Sequence, residues 1–202
     1  MDRILKLSRR GDATSTDQSG DQEQARYFDS LEDLDKCRAY TASLRMLRLK
    51  TAAAITAMHD LRDLAVAVHS AKKDVTKLFV DTDAATTVVE AMESHPMDPG
   101  VQTAGCEIFW RLETKGRKDN IPSPLDAKIA RVVLAAMMFH VEDAGIQEAS
   151  CYTLRNLSRG VLENKEFVLY AENNAFPAAI VSAMQKHITH TGFQQAACQS
   201  LN

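Results

Sequence analysis

The sequence predicts an all-α chain made of stacked copies of one helical unit, on three observations. The chain repeats itself: residues 88–112 read VVEAMESHPMDPGVQTAGCEIFWRL, residues 132–157 read VVLAAMMFHVEDAGIQEASCYTLRNL, and residues 180–201 open the same way with IVSAMQKHITHTGFQQAACQSL. His95, His140 and His187 mark one register at spacings of 45 and 47 residues, and Cys106, Cys151 and Cys198 keep the same spacings. The 45% hydrophobic content supports a packed core. A period in this range belongs to stacked helical pairs or triplets.

Taken in order, residues 1–29 read as a disordered polar tail. Residues 8–24 carry Gly11, Thr14, Ser15, Thr16, Ser19 and Gly20 among scattered acids, too little apolar surface to offset the ordering entropy. The repeat domain spans residues 30–202. Its first helix starts at Ser30, with Asp33 three residues on as a capping pair. Leu31, Leu34, Cys37, Tyr40, Leu44 and Leu47 then recur at steps of three and four, one face of an amphipathic helix.

Residues 51–68 form the last helix of a first, degenerate repeat. Leu61-Arg62-Asp63 with Leu64-Ala65 mirrors Leu154-Arg155-Asn156 with Leu157-Ser158. Within a full repeat the reading is a short first segment (75–80 or 165–172), a second helix (87–94, 127–140 or 177–187), a turn and a third helix. Gly100, Gly145 and Gly192 mark the turns, where glycine tolerates positive φ. Residues 113–124, with Gly116, Pro122 and Pro124, read as an inter-repeat loop. Ser123, Pro124 and Asp126 then supply an N-cap, a first-turn proline and a first-turn acid.

Composition excludes several functions. The formal net charge of −3 offers no field for nucleic acid or anionic lipid. The most apolar stretch, residues 129–141, is too short to span a bilayer and carries Arg131 and His140. No secretory h-region follows the basic start. Three cysteines at equivalent register positions read as small buried hydrophobes in a reducing compartment, cytoplasmic or nuclear, not as a disulfide framework. No metal is implied. His95, His140 and His187 stand one repeat apart, beyond a shared coordination sphere, and read as helix-end residues near the last carbonyls. His187 and His190 lack a third ligand nearby. Met92, Met137 and Met184 repeat in register as core filler. No nucleophile elbow, C-x-x-C or phosphate-cradling loop occurs, so neither an enzyme, a cofactor nor a small-molecule substrate is indicated. Lys72-Lys73 and the Lys115, Arg117, Lys118 cluster read as solvated loop charges.

The third helices yield the candidate binding residues. At 100° per residue, Ile146, Ser150, Leu154 and Leu157 share the packing side, while Glu148, Tyr152, Arg155 and Asn156 lie opposite. Register transfer gives Thr103, Glu107, Trp110 and Arg111 in the preceding repeat. It gives Ile55, His59, Arg62 and Asp63 in the first, and Gln195, Gln199 and Asn202 in the last. This mixture of both charge signs, amides and aromatics suits a polypeptide better than a phosphate backbone. Trp110, the only tryptophan, has two readings, packing between repeats or anchoring a partner.

The segment Asn174-Ala175-Phe176-Pro177-Ala178-Ala179-Ile180-Val181 resembles the G-A-I-P-x-L-V start of the second helix in the armadillo repeat family. Residues 146–157, ending Leu154-Arg155-Asn156-Leu157, resemble its third helix. The resemblance covers about residues 50–202 and is also compatible with the related HEAT repeats. It implies a right-handed α-α superhelix of about four repeats, the first degenerate and the last truncated, whose third helices line a concave groove. In peptide-carrying members an aromatic and an asparagine one turn apart grip an extended chain; Tyr152 and Asn156 match that pair. Glu107 with Arg111, and His59 with Asp63, do not. The implied function is a non-catalytic scaffold that holds an extended or helical segment of a partner protein. A nuclear-transport-type adaptor and the regulatory array of a larger enzyme are the alternatives. The last is prompted by the stop at Leu201-Asn202, mid-helix in its repeat with no polar capping unit, which reads as a truncated chain or an end covered by a partner.

Overall fold

The computed structural model describes residues 18–47, 51–112, 124–158 and 175–201. Among the described residues there are nine helices and no strand: α1 (Gln18–Leu47), α2 (Thr51–Ser70), α3 (Val75–Asp81), α4 (Ala84–Ser94), α5 (Pro99–Arg111), α6 (Pro124–Phe139), α7 (Ala144–Ser158), α8 (Ala175–Lys186) and α9 (Thr191–Ser200). Met1–Glu32 and Asp33–Asn202 are separate compact units. The description that follows concerns the second.

The repeats are α3-α4-α5, α6-α7 and α8-α9, with α2 as the third helix of the degenerate unit. The third helices stack in sequence order, α2 on α5, α5 on α7 and α7 on α9, while the second helices α4, α6 and α8 do the same in a parallel layer. The core runs between the layers. Met58, Leu61, Val88, Met92, Ile108, Phe109, Val133, Met137, Ile146, Leu154, Ile180 and Phe193 are buried there, each contributing roughly 1.5–3 kcal/mol.

The third helices α5, α7 and α9 each start on a cap. The Asp98 carboxylate accepts the Val101 N–H at 3.0 Å, with Pro99 in the first turn. Asp143 accepts the Gly145 and Ile146 N–H groups at 2.9 and 3.0 Å. In the last repeat the cap is His190, whose Nδ1 accepts the Phe193 N–H at 3.1 Å. Such caps stabilise a helix by about 1 kcal/mol.

A second device recurs three times. The Gln102 side-chain amide donates to the Met92 and His95 carbonyls, Gln147 to those of Met137 and His140, and Gln194 to those of Met184 and His187, all within 2.8–3.0 Å. One glutamine thus satisfies two end carbonyls of each second helix. The histidines reach backward. His140 Nε2 lies 2.9 Å from the Pro96 carbonyl, and His187 Nε2 lies 2.7 Å from the Val141 carbonyl, each one repeat earlier. These rings tie turn to turn, a longer reach than the local helix-end contact that the sequence predicts.

Three expectations need correction. Helix α1 starts at Gln18, twelve residues before Ser30, so residues 18–29 are helical and Ser30 is no cap. That segment lacks an apolar stripe, but its three glutamines with Glu23, Ala25 and Arg26 favour a helix in a way that periodicity cannot detect. Gly100, Gly145 and Gly192 lie inside the first turns of α5, α7 and α9, and none has positive φ. A Cβ there would stand 3.2 Å from the Asp98 or Asp143 cap oxygen, or 2.9 Å from Glu148. Gly105 also lies within a helix. It sits within α5, where a Cβ would meet Met92 Sδ at 2.3 Å, and Ser150 and Ala197 hold the same register. Finally, Cys106 and Cys151 are buried but Cys198 is exposed, because no described helix packs over it. The expected first segment 165–172, and residues 113–123 of the expected loop, lie outside the described residues.

Candidate partner-binding face

Helical geometry divides α7 cleanly. Ile146, Ser150, Leu154 and Leu157 are buried, while Glu148, Tyr152, Arg155 and Asn156 are each half-buried at the surface. Register transfer holds along the stack. Glu107, Trp110 and Arg111 on α5 and His59 and Arg62 on α2 are half-buried, as is Gln199 on α9; Asp63 and Gln195 are exposed. Asn202 lies outside the described residues.

These residues meet where helices are neighbours. Trp110 and Tyr152 stack across the α5–α7 seam, centroids 4.5 Å apart and planes 10° from parallel. The Arg111 guanidinium carbon lies 5.1 Å from the centre of the same indole. Trp110 therefore packs between repeats, the first of its two readings, while remaining partly at the surface. On the α2–α5 seam, Arg62 Nε stands 3.6 Å from Glu107, and Arg62 Nη2 donates to Asp63 at 2.8 Å. His190 Nδ1 stands 3.8 Å from Glu148 on the α7–α9 seam. The row is thus a set of pairs across adjacent helices, with Gln195 and Gln199 at one end and His59 at the other.

Asn156 does not project as a lone peptide-gripping amide. Its Nδ2 donates to the Trp110 carbonyl at 2.8 Å, closing the end of α5 against α7. Beneath it, Ser150 donates to Cys106 Sγ at 3.3 Å and Thr153 to the Cys106 carbonyl at 3.2 Å. Burial pushes the Cys106 and Cys151 thiols up to about 12, so these are packing groups and not nucleophiles. Burial also pulls the Arg111 guanidinium below its ordinary value, partly opposed by the Glu107 charge.

A profile of the LRRK2 ARM repeat matches residues 23–202. The chain belongs to the LRRK2 ARM repeat family. No curated protein and no solved structure matches it. As a member of the LRRK2 ARM repeat family the chain is a repeat scaffold, and such repeats generally bind proteins. Among the described residues no helix is long and apolar enough to cross a membrane, and no three His, Cys, Asp or Glu side chains converge as metal ligands. His187 and His190 each engage backbone groups.

Sequence reasoning found the surface row but missed what positions it. The glutamines 102, 147 and 194 stand two residues after Gly100, Gly145 and Gly192. That third recurring column was the available signal. The Trp110–Tyr152 stack had none, because the two residues occupy different register positions.

Proposed function

We propose that this chain is a non-catalytic scaffold of a reducing, cytoplasmic or nuclear compartment that holds a segment of a partner polypeptide along its third helices. The observation that carries this reading is the row itself. From α2 to α9 one face keeps aromatics, amides and both charge signs at the surface, while the opposite face of the same helices is buried. The Trp110–Tyr152 pair adds rigid aromatic area with few torsions to freeze on binding. Arginines beside it match the residue types that dominate interface energetics.

The test is capture of partner protein by the wild-type chain, by Glu107→Ala/Tyr152→Ala, and by Phe139→Ser on the outer layer. The expected result is capture lost in the first variant and kept in the second. Equal capture by all three would overturn the reading. The adaptor alternative needs Asn156 to bond a lysine-rich peptide, yet its amide already serves the Trp110 carbonyl. Unchanged binding of such a peptide by Asn156→Ala would remove that alternative.

A further inference from the structure

A cavity of about 460 Å³ opens beside the third-helix row, where the α2–α3 turn meets the end of α5. His69, Lys72, Lys73, Asp74, Thr76 and Arg111 line it. Both nearby carboxylates are engaged: Asp33 pairs with Lys73 at 2.6 Å, and Asp74 accepts the Lys77 N–H at 2.8 Å as the α3 cap. The other two cations are not so matched. Among the described residues Lys72 has no acidic partner within 4 Å. Among the described residues Arg111 bonds the Glu107 carbonyl and lies over the Trp110 face; the nearby Glu107 charge supports it, while burial and the Arg62 charge disfavour its own.

Lys72 also holds an unusual backbone position. It closes α2 through the paired bonds Lys72 N–H to the His69 carbonyl and Lys73 N–H to the Val68 carbonyl, at 2.9 and 3.0 Å. Its φ is 57°. Glycine is the residue this turn favours. A lysine here sacrifices local backbone preference and places a cation at the cavity wall, the kind of local conflict that marks functional positions. The lining keeps a net positive charge in a chain whose formal net charge is −3.

We propose that this cavity binds a carboxylate-rich segment of a polypeptide. Two observations favour a peptide over a small anion. The volume exceeds what one phosphate ion fills. Arg111 lies both in the cavity wall and over Trp110, so a chain laid along the third helices continues into the cavity without a break. The proposal rests on the third-helix face being a polypeptide site, and assigns acidic character to the part of the partner that passes Arg111.

The probe is a dye-labelled hexaglutamate peptide, read by fluorescence anisotropy on the full chain. Wild type binds hexaglutamate and not hexalysine, and 300 mM salt weakens the binding, as screening requires. Lys72→Gly weakens it at least fivefold while keeping or raising the melting temperature, since glycine accepts the left-handed backbone. Lys128→Ala, an exposed lysine on α6, leaves it unchanged. Equal binding by Lys72→Gly and wild type, or binding of hexalysine, overturns the proposal. Full displacement by equimolar inorganic phosphate would overturn the peptide assignment in favour of a small-oxyanion pocket. Failure here with capture still abolished by Glu107→Ala/Tyr152→Ala sinks the cavity proposal alone. Capture unaffected by that double variant sinks the third-helix reading, and Lys72→Gly then decides the cavity by itself.

Discussion

The α5–α7 seam and the α7–α9 seam are built on one plan and finished differently. In both, a hydroxyl of the later helix lies beside the cysteine thiol of the earlier one: Ser150 donates to Cys106, and Ser200, which donates to the Ala197 carbonyl, stands by Cys151. In both, a histidine of the later turn reaches the carbonyl of the earlier turn. The surface edges diverge. The first seam carries the Trp110–Tyr152 stack and the Asn156 bond. The second carries Glu148 against Gly192 and His190. Buried positions that fix the spacing of helices recur from repeat to repeat, whereas surface positions are free to differ.

The sharpest way to break the shared plan is Gly105→Leu. Met92 Sδ already stands where a Cβ would go, so overpacking should cost about 3 kcal/mol in urea denaturation. Ser150 fills the same register on α7 without such a clash, so Ser150→Ala should cost far less.

Next comes the glutamine device. Gln147→Ala should lower stability by about 2 kcal/mol, because one buried and one half-buried helix-end carbonyl lose their donor. Gln194→Ala should cost about half as much, since half-buried carbonyl partners can turn to water. Equal losses would mean the two turns are equally dry.

The thiols give a pH test. Burial holds Cys106 and Cys151 protonated up to about 12, above the ordinary value of 9.0. The native state therefore keeps protons that the unfolded chain releases. Stability is unaffected below pH 9 and falls as pH rises toward 12. At pH 10 the loss should be about 1 kcal/mol per buried thiol, and Cys106→Ser should flatten the slope. Exposed Cys198 should react with a thiol reagent in the native state at pH 8, before the three buried cysteines do.

The smallest effect isolates the stack. A double-mutant cycle of Trp110→Ala and Tyr152→Ala should show coupling of about 1 kcal/mol. The same cycle on the register equivalents Arg155 and Gln199 should show none beyond error.

Much of this architecture was legible in one sequence because burial imposes periodicity. The spacing of Ile146, Ser150, Leu154 and Leu157 placed Tyr152 and Asn156 at the surface without coordinates. Positions that repeat could be found by comparing copies, and Gln102, Gln147 and Gln194 were overlooked only because their side chains serve backbone carbonyls and leave no mark on hydropathy. Helix α1 was read too short because propensity, not an apolar stripe, carries it before Ser30. The Lys72 and Arg111 cavity was beyond reach for another reason. It depends on a turn dihedral and on two cations far apart in the chain, and neither has a sequence period.

The histidine bonds all point one way along the chain. Pro96 and Val141 are synthesised before the rings of His140 and His187 that seek their carbonyls. Each newly made unit therefore emerges to find its docking group already in place upstream, and an interruption of synthesis leaves behind turns that lack no donor from their own repeat.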